Sequence, residues 1–208
     1  MTETFGLYLI LTDPVAGYEA CAQAAVDCGV RYLQLRMKDA SREALMATAQ
    51  ELRKITRGTR TRFIVNDDLD IAMVCDADGI HLGQDDLTIA EARKRWNTPG
   101  KIYGLSTHSL QQAAQARDLA ADYIGVGPVF PTATKPDADP ALGIEETARI
   151  CTSTPLTTVA IGGIQSDNLS LLIKAGIDNF CVVGAVNHAP DPAAAIQKLQ
   201  AISKSSGF

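Results

Sequence analysis

The sequence predicts a single α/β domain, a (β/α)8 (TIM) barrel. Three observations lead there. Short apolar runs alternate with helical segments along the whole chain, the order that builds parallel βαβ units. Eight such units in 208 residues average 26 residues each, near the lower size of this barrel. The first run is followed by Thr12-Asp13-Pro14, not by the Gly-rich phosphate loop that often opens a doubly wound sheet. The doubly wound sheet, usually with fewer strands, is the alternative.

The elements follow in order. Strands are expected near 7–11, 31–36, 62–66, 78–82, 101–105, 122–126, 156–161 and 179–183. Four of them share one entry: a helical segment, a small residue or Gly, then the apolar run. It reads Cys28-Gly29-Val30-Arg31-Tyr32 before the second strand, Ala77-Asp78-Gly79-Ile80 at the fourth, Ala121-Asp122-Tyr123-Ile124 at the sixth and Ala175-Gly176-Ile177 before the eighth. A Gly there suits the left-handed residue that ends a helix, and the run behind it reads as a buried strand. Between strands, Leu45, Ala49 and Leu52 keep helical spacing, as do Leu169, Leu172, Ile173 and Gly176. Thr88-x-x-Glu91 and Ser109-x-x-Gln112 read as capping boxes, and Asp191-Pro192 as an N-cap with Pro in the first turn. The segment 131–143, with Pro131, Pro136, Asp137, Asp139 and Pro140, reads as a long polar loop after strand six. The tail 203–208 reads as frayed.

Composition excludes several functions. Nineteen basic residues against 24 acidic give a net charge of −5, the wrong sign for a general binder of nucleic acid or anionic membrane. No apolar run approaches the ~18 residues of a membrane span. Met1-Thr2-Glu3-Thr4-Phe5 lacks the basic and apolar regions of a secretory signal, so a cytoplasmic address is expected. Cys21, Cys28, Cys75, Cys151 and Cys181 are odd in number with no C-x-x-C pair, so buried thiols are expected, not disulfides or a zinc knuckle. His81, His108 and His188 make no metal-binding spacing.

A barrel of this kind carries its active site at the C-terminal strand ends. Strand two ends in Gln34-Leu35-Arg36-Met37-Lys38, whose alternating Gln34, Arg36 and Lys38 point to one side and suit an anion site, or are charges merely solvated at the strand's exit. Asn66-Asp67-Asp68 follows strand three and Gly83-Gln84-Asp85-Asp86 follows strand four. Carboxylates converging beside an anion site suit Mg2+ bridging to a phosphate; helix capping by one Asp of each pair is the plainer reading. Thr132-Ala133-Thr134-Lys135 after strand six can wrap a diphosphate, or be an ordinary loop. Gly162-Gly163 and Gly184, after strands seven and eight, match the usual phosphate site of such barrels, or serve tight turns. The sum is a mouth with two anion sites: one charged, suited to a diphosphate, and one of neutral backbone, suited to a monophosphate. No nucleophile or Schiff-base Lys stands out, which favours ionisation of a diphosphate leaving group.

The chain resembles the thiamine-phosphate synthase (thiamine-phosphate pyrophosphorylase) family from about Tyr8 to Pro192. The carriers are Gln34-Leu35-Arg36-Met37-Lys38, Val65-Asn66-Asp67, Asp78-Gly79-Ile80-His81-Leu82-Gly83-Gln84-Asp85-Asp86, Gly104-Leu105-Ser106-Thr107-His108, Gly127-Pro128-Val129-Phe130-Pro131-Thr132-Ala133-Thr134-Lys135 and Ala160-Ile161-Gly162-Gly163-Ile164. The resemblance implies condensation of 4-amino-5-hydroxymethyl-2-methylpyrimidine diphosphate with 4-methyl-5-(2-phosphoethyl)thiazole, giving thiamine phosphate and pyrophosphate by a dissociative substitution. It implies that Gln34, Arg36, Lys38 and Asn66 hold the pyrimidine diphosphate, that Asp67 and Asp86 hold Mg2+, and that Ser106 sits near the reacting diphosphate. Thr132, Thr134 and Lys135 would close over the pyrophosphate and the thiazole side. Gly163 and the backbone at Val183-Gly184 would receive the thiazole phosphate. Lys38, Ser106 and Lys135 are the implied catalytic residues. Partners are the two small substrates, with homo-oligomerisation left open.

One departure stands out. After strand eight the family usually reads Val-Val-Ser-Ala-Ile, whereas this chain has Val182-Val183-Gly184-Ala185-Val186. The missing hydroxyl implies weaker binding of the thiazole phosphate, or a changed acceptor. Asp85, where Glu is common, is expected to be harmless. Two rivals remain: a thiazole tautomerase of the same fold with His108 as base, and a non-catalytic paralogue that binds phosphate ligands.

Overall fold

The computed structural model describes residues 3–132 and 139–207. Eight strands alternate with helices: β1 (Leu7–Leu11), α1 (Tyr18–Asp27), β2 (Tyr32–Leu35), α2 (Arg42–Thr56), β3 (Arg62–Asn66), α3 (Leu69–Val74), β4 (Gly79–Leu82), α4 (Ile89–Arg95), β5 (Ile102–Thr107), α5 (Leu110–Asp118), β6 (Tyr123–Val126), α6 (Gly143–Thr152), β7 (Thr157–Ala160), α7 (Leu169–Lys174), β8 (Phe180–Val182), α8 (Gly184–Asn187) and α9 (Pro192–Gly207). Each strand pairs in parallel with the next, and β8 closes on β1 through Leu7–Phe180, Tyr8–Cys181 and Leu9–Val182. The closed ring excludes the doubly wound alternative.

Period-two alternation builds two cores. Leu9, Leu33, Phe63, Val65, Ile80, Leu105 and Ile124 face outward against the helices. Tyr8, Ile10, Tyr32, Ile64, Tyr123, Val159 and Cys181 face inward and fill the lower barrel. Both faces of each strand are covered, so the strands are mostly apolar, with polar residues such as Gln34, His81 and Ser106 among their inward positions.

The helix signals are partly as read. Thr88 and Glu91 form the reciprocal box on α4. Asp191 accepts from the Ala194 N–H (3.0 Å) at the start of α9. Ser109 accepts from the Gln112 N–H (3.2 Å), but the Gln112 side chain takes the His108 N–H (2.6 Å), so that box is only half made. Ala49 and Leu52 of α2 are buried, as are Leu169, Leu172 and Ile173 of α7. Gly29 and Gly176 take positive φ after α1 and α7, but after α3 and α5 that position belongs to Asp76 (φ 54°) and Ala120 (φ 58°).

The N-terminal face is closed by a repeated device. The Asp78 carboxylate accepts from the Phe63 N–H (2.8 Å) and Arg53 (3.1 Å). Asp122 accepts from the Tyr103 N–H (2.7 Å) and Arg93 (2.9 Å). The Asn179 amide oxygen accepts from the Phe5 and Gly6 N–H groups.

Of the tail 203–208, Phe208 lies outside the described residues. The last helix runs to Gly207, and Ser203 is buried. Ile196, Leu199 and Ser203 lie on one helical face, so the helix docks beyond the point where the sequence turns polar. Among the described residues no helix is long and apolar enough to cross a membrane. All five cysteines are unpaired, with Cys21, Cys75 and Cys181 buried.

Candidate active site

One cavity of about 560 Å3 opens at the C-terminal ends of the strands. Gln34, Arg36, Lys38, Asn66, Asp67, Asp86, Ser106, Thr132, Gly163, Val183 and Gly184 all line it. Thr134 and Lys135 lie outside the described residues.

Its charged side is built from the exits of β2, β3 and β4. Arg36 has no ion-pair partner among the described residues, although its backbone is fixed by Leu11 (N–O 2.9 Å). A guanidinium that faces a cavity without a carboxylate is left for an anion. Lys38 Nζ donates to Asp67 Oδ2 at 2.5 Å. Asp67 is held at φ 61°, uncommon for a non-glycine residue, with its N–H on the His81 carbonyl (2.9 Å). Its carboxylate interacts with that of Asp86. Burial, and then the hydrogen bond to Asp86, raise Asp67 above the ordinary carboxylate value, against the pull of Lys38. Burial alone would raise Asp86, but the hydrogen bonds from Asp67 and the Gly83 N–H (2.7 Å), with Lys38 nearby, carry it below. The two carboxylates therefore titrate as one pair.

The capping alternative divides. Asp68 caps α3 by accepting from the Ile71 N–H (2.9 Å), which leaves Asp67 for the cavity. On the next loop the cap is Thr88, so neither Asp85 nor Asp86 caps α4.

The neutral side comes from the loops after β7 and β8. Gly163 has φ +64°, and a Cβ on it would stand 2.6 Å from the Pro131 carbonyl oxygen and 2.7 Å from Phe130 Cβ. Only glycine lets this loop lie so close against the loop after β6. The N–H groups of Gly163 and Ile164 have no acceptor among the described residues. At Gly184, a Cβ would lie 3.2 Å from the His188 ring.

Several residues at this site escaped the sequence reading. His81 on β4 bonds Ser106 Oγ through Nε2 (3.0 Å) and Tyr123 Oη through Nδ1 (2.9 Å). Tyr123 Oη meets Tyr8 Oη at 2.8 Å, and Gln34 Nε2 donates to Tyr8 Oη at 2.9 Å. Burial pushes the imidazole of His81 down to about 4 and raises both phenols, so the group is neutral. Gly104 makes this possible: a Cβ there would lie 2.2 Å from Tyr123 Cζ. Gln84 Nε2 donates to the Ser106 carbonyl (2.5 Å). His108 donates from Nδ1 to the Gly127 carbonyl (2.8 Å) and sets Nε2 against Asp139 (3.1 Å). The only sequence hint was that inward positions of β4–β6 are His, Gly, Ser, Tyr and Gly, too polar and too small for a packed core.

The pattern of the thiamine monophosphate synthase family matches residues 7–186. The chain belongs to that family. It is 42% identical over 185 residues to the thiamine-phosphate synthase of Chloroflexus aurantiacus, covering 89% of this chain and 85% of that one. It is 43% identical over 194 residues to the thiamine biosynthesis bifunctional protein ThiED of Geobacter sulfurreducens; there it covers 93% of its own length but 39% of the longer protein. In structure it is similar to the thiamine phosphate pyrophosphorylase of Pyrococcus furiosus, with TM-score 0.84 and 33% identity over 97% of this chain and 96% of that one. The thiamine monophosphate synthase family thus spans the whole barrel, including every strand exit that lines the cavity.

Proposed function

We propose that the chain is a thiamine-phosphate synthase, a transferase that joins 4-amino-5-hydroxymethyl-2-methylpyrimidine diphosphate to 4-methyl-5-(2-phosphoethyl)thiazole and releases pyrophosphate. The observation that carries this reading is one cavity with two unlike anion sites. Arg36, without an ion-pair partner among the described residues, stands on one side with Lys38 and two neighbouring carboxylates, and glycine N–H groups stand on the other. Relatives about 40% identical over most of the chain bear that name.

Arg36 and Lys38 hold the diphosphate, with Asn66 and Ser106 as neutral partners. The ester C–O bond breaks, and pyrophosphate leaves with the electron pair. The aminopyrimidine stabilises the methylene cation, and the thiazole nitrogen attacks it to form the C–N bond. No proton needs to be abstracted, so the protein's part is positioning and charge stabilisation. Gly163 and the Val183-Gly184 backbone receive the phosphate of the acceptor. In this reading Thr132, Thr134 and Lys135 close over the pyrophosphate.

Asp67 and Asp86 fit a divalent cation. They are close enough to shift one another, Asp67 upward and Asp86 downward, and stand beside the anion site, the donor set Mg2+ takes together with phosphate oxygens. Among the described residues no group of three or more metal-ligating side chains competes with them. When bound, Mg2+ would supply positive charge against the leaving pyrophosphate. The five free thiols suit a reducing compartment, in line with a cytoplasmic enzyme acting on small soluble substrates.

The tautomerase reading needs a base facing the cavity. Both ring nitrogens of His108 are engaged, by Gly127 and Asp139, so it does not offer one. The test is a product assay with both substrates and Mg2+, reading thiamine phosphate by mass and after oxidation to fluorescent thiochrome. Metal-dependent product is expected. A folded protein that binds both substrates but makes none is a ligand-binding paralogue. Lys135→Ala should lose most of kcat with the fold intact; wild-type turnover would remove the loop from the mechanism.

A further inference from the structure

The interior of the barrel holds a chain of hydrogen bonds with both ends in the cavity. It runs Gln34, Tyr8, Tyr123, His81, Ser106, over four contacts of 2.8–3.0 Å. Gln34 is buried, and its Oε1 has no hydrogen-bond partner among the described residues. Resting on the function proposed above, we propose that Tyr8, Tyr123 and His81 are positioning residues that fix the Ser106 hydroxyl as a donor toward the diphosphate, in an order set by the Gln34 amide.

Counting protons gives the order. Gln34 Nε2 donates to Tyr8, so the Tyr8 proton has only the Tyr123 oxygen to go to. The Tyr123 proton then goes to His81 Nδ1. An imidazole with no carboxylate on either nitrogen, in a half-buried site among phenols, stays neutral and carries its one proton on Nε2. That proton goes to Ser106 Oγ, and the Ser106 proton is turned away from His81 into the cavity. At the other end, Gln34 Oε1 remains as a bare acceptor.

The opposite order exists on paper. Turning the Gln34 amide over reverses every bond, leaving NH2 at one end and only lone pairs on Ser106 at the other. The two substrate groups decide between them. A ring amino group donates, and matches Oε1; phosphate oxygens accept, and match the Ser106 hydroxyl. The reverse order would set donor against donor at the Gln34 end and lone pair against lone pair at Ser106. The chain thereby couples recognition of the amino group to orientation of the hydroxyl, through Tyr8 and Tyr123 below the cavity and His81 at its floor. Gly104 shows that the fold makes room for this: any side chain there would expel the Tyr123 hydroxyl.

The first test reads the tautomer. In 15N NMR of the chain saturated with the pyrimidine diphosphate, with labelled histidine assigned through His81→Asn, His81 should show a pyridine-type Nδ1 and a pyrrole-type Nε2. A protonated Nδ1, alone or with Nε2, overturns the proposal whatever the activity assay gives. The second test is kinetic. Tyr123→Phe should lower kcat by about tenfold or more while KM for the thiazole phosphate stays constant. In a Ser106→Ala background the same change should cost nothing further; multiplying losses overturn the coupling. If Tyr123→Phe does not fold, the tautomer alone decides. Absence of product from the wild type defeats the functional reading separately.

Discussion

Arg36 decides more than its neighbours because, among the described residues, it faces the cavity without a carboxylate partner, whereas Lys38 is already held by Asp67. Arg36→Ala should therefore lower kcat/KM about 10²-fold, the usual cost of one charge-stabilising donor, with little change in melting temperature. Steady-state kinetics with the diphosphate substrate varied check this. Gly184 explains itself only in part. A Cβ there comes within 3.2–3.3 Å of the His188 ring, which is exposed and can swing aside. Gly184→Ser should fold and, by supplying a hydroxyl at the neutral site, lower KM for the thiazole phosphate severalfold; an unchanged or higher KM would mean the backbone already satisfies that phosphate. At this scale the charged residues of the site were legible, because Arg, Lys and paired Asp at strand exits have few structural uses. His81, Tyr8 and Tyr123 were not, because aromatic residues inside strands read as core until their hydroxyls and ring nitrogens are seen to meet.

The elements hold together by a device repeated on the face away from the site. Asp78 ties the start of β3 and α2 to β4; Asp122 and Asn179 do the same farther round. Asp78→Ala leaves Arg53 half-paired and the Phe63 N–H without its side-chain acceptor, and should cost about 2 kcal/mol. Denaturant melts should show that loss while kcat of the folded fraction is unchanged. Asp76, in the left-handed position after α3, is drawn below the ordinary value first by its hydrogen bond from Lys101 (2.8 Å), despite some burial, with Arg53 and Arg57 helping. A carboxylate with a depressed folded pKa stabilises above its unfolded value of 3.8, and that help is lost as pH falls through the folded value. Wild type should therefore lose stability more steeply than Asp76→Asn below about pH 4, seen in melts from pH 5 to 2; because Asp76 is mostly exposed, the difference should be small. Strand positions and three helix starts were legible because period and capping are local. The burial of Ser203 on α9 was not legible, because docking of that helix depends on the helices it reaches, not on its own polarity.

For the whole molecule, the barrel gathers separate exits into one cavity, and ligands that bridge them should tighten all of it. Mg2+ with pyrophosphate should raise the melting temperature far more than either alone, since a ligand stabilises the folded state in proportion to its occupancy. Calorimetric or fluorescence melts test this, and Asp67→Asn should abolish the synergy; additive shifts would place the metal elsewhere. By itself the sequence determined the strand order, the parallel pairing and the residue types at each exit, because alternation, helix caps and composition are properties of short segments. Tertiary closure alone decided the rest. It set which of Asp67 and Asp68 faces the cavity, brought Asp86 to Asp67 across two loops, and left Gln34 an oxygen unpaired among the described residues. It also joined that residue to Ser106 through three others far apart in the chain. Those facts depend on distances between strands, which a one-dimensional pattern does not contain.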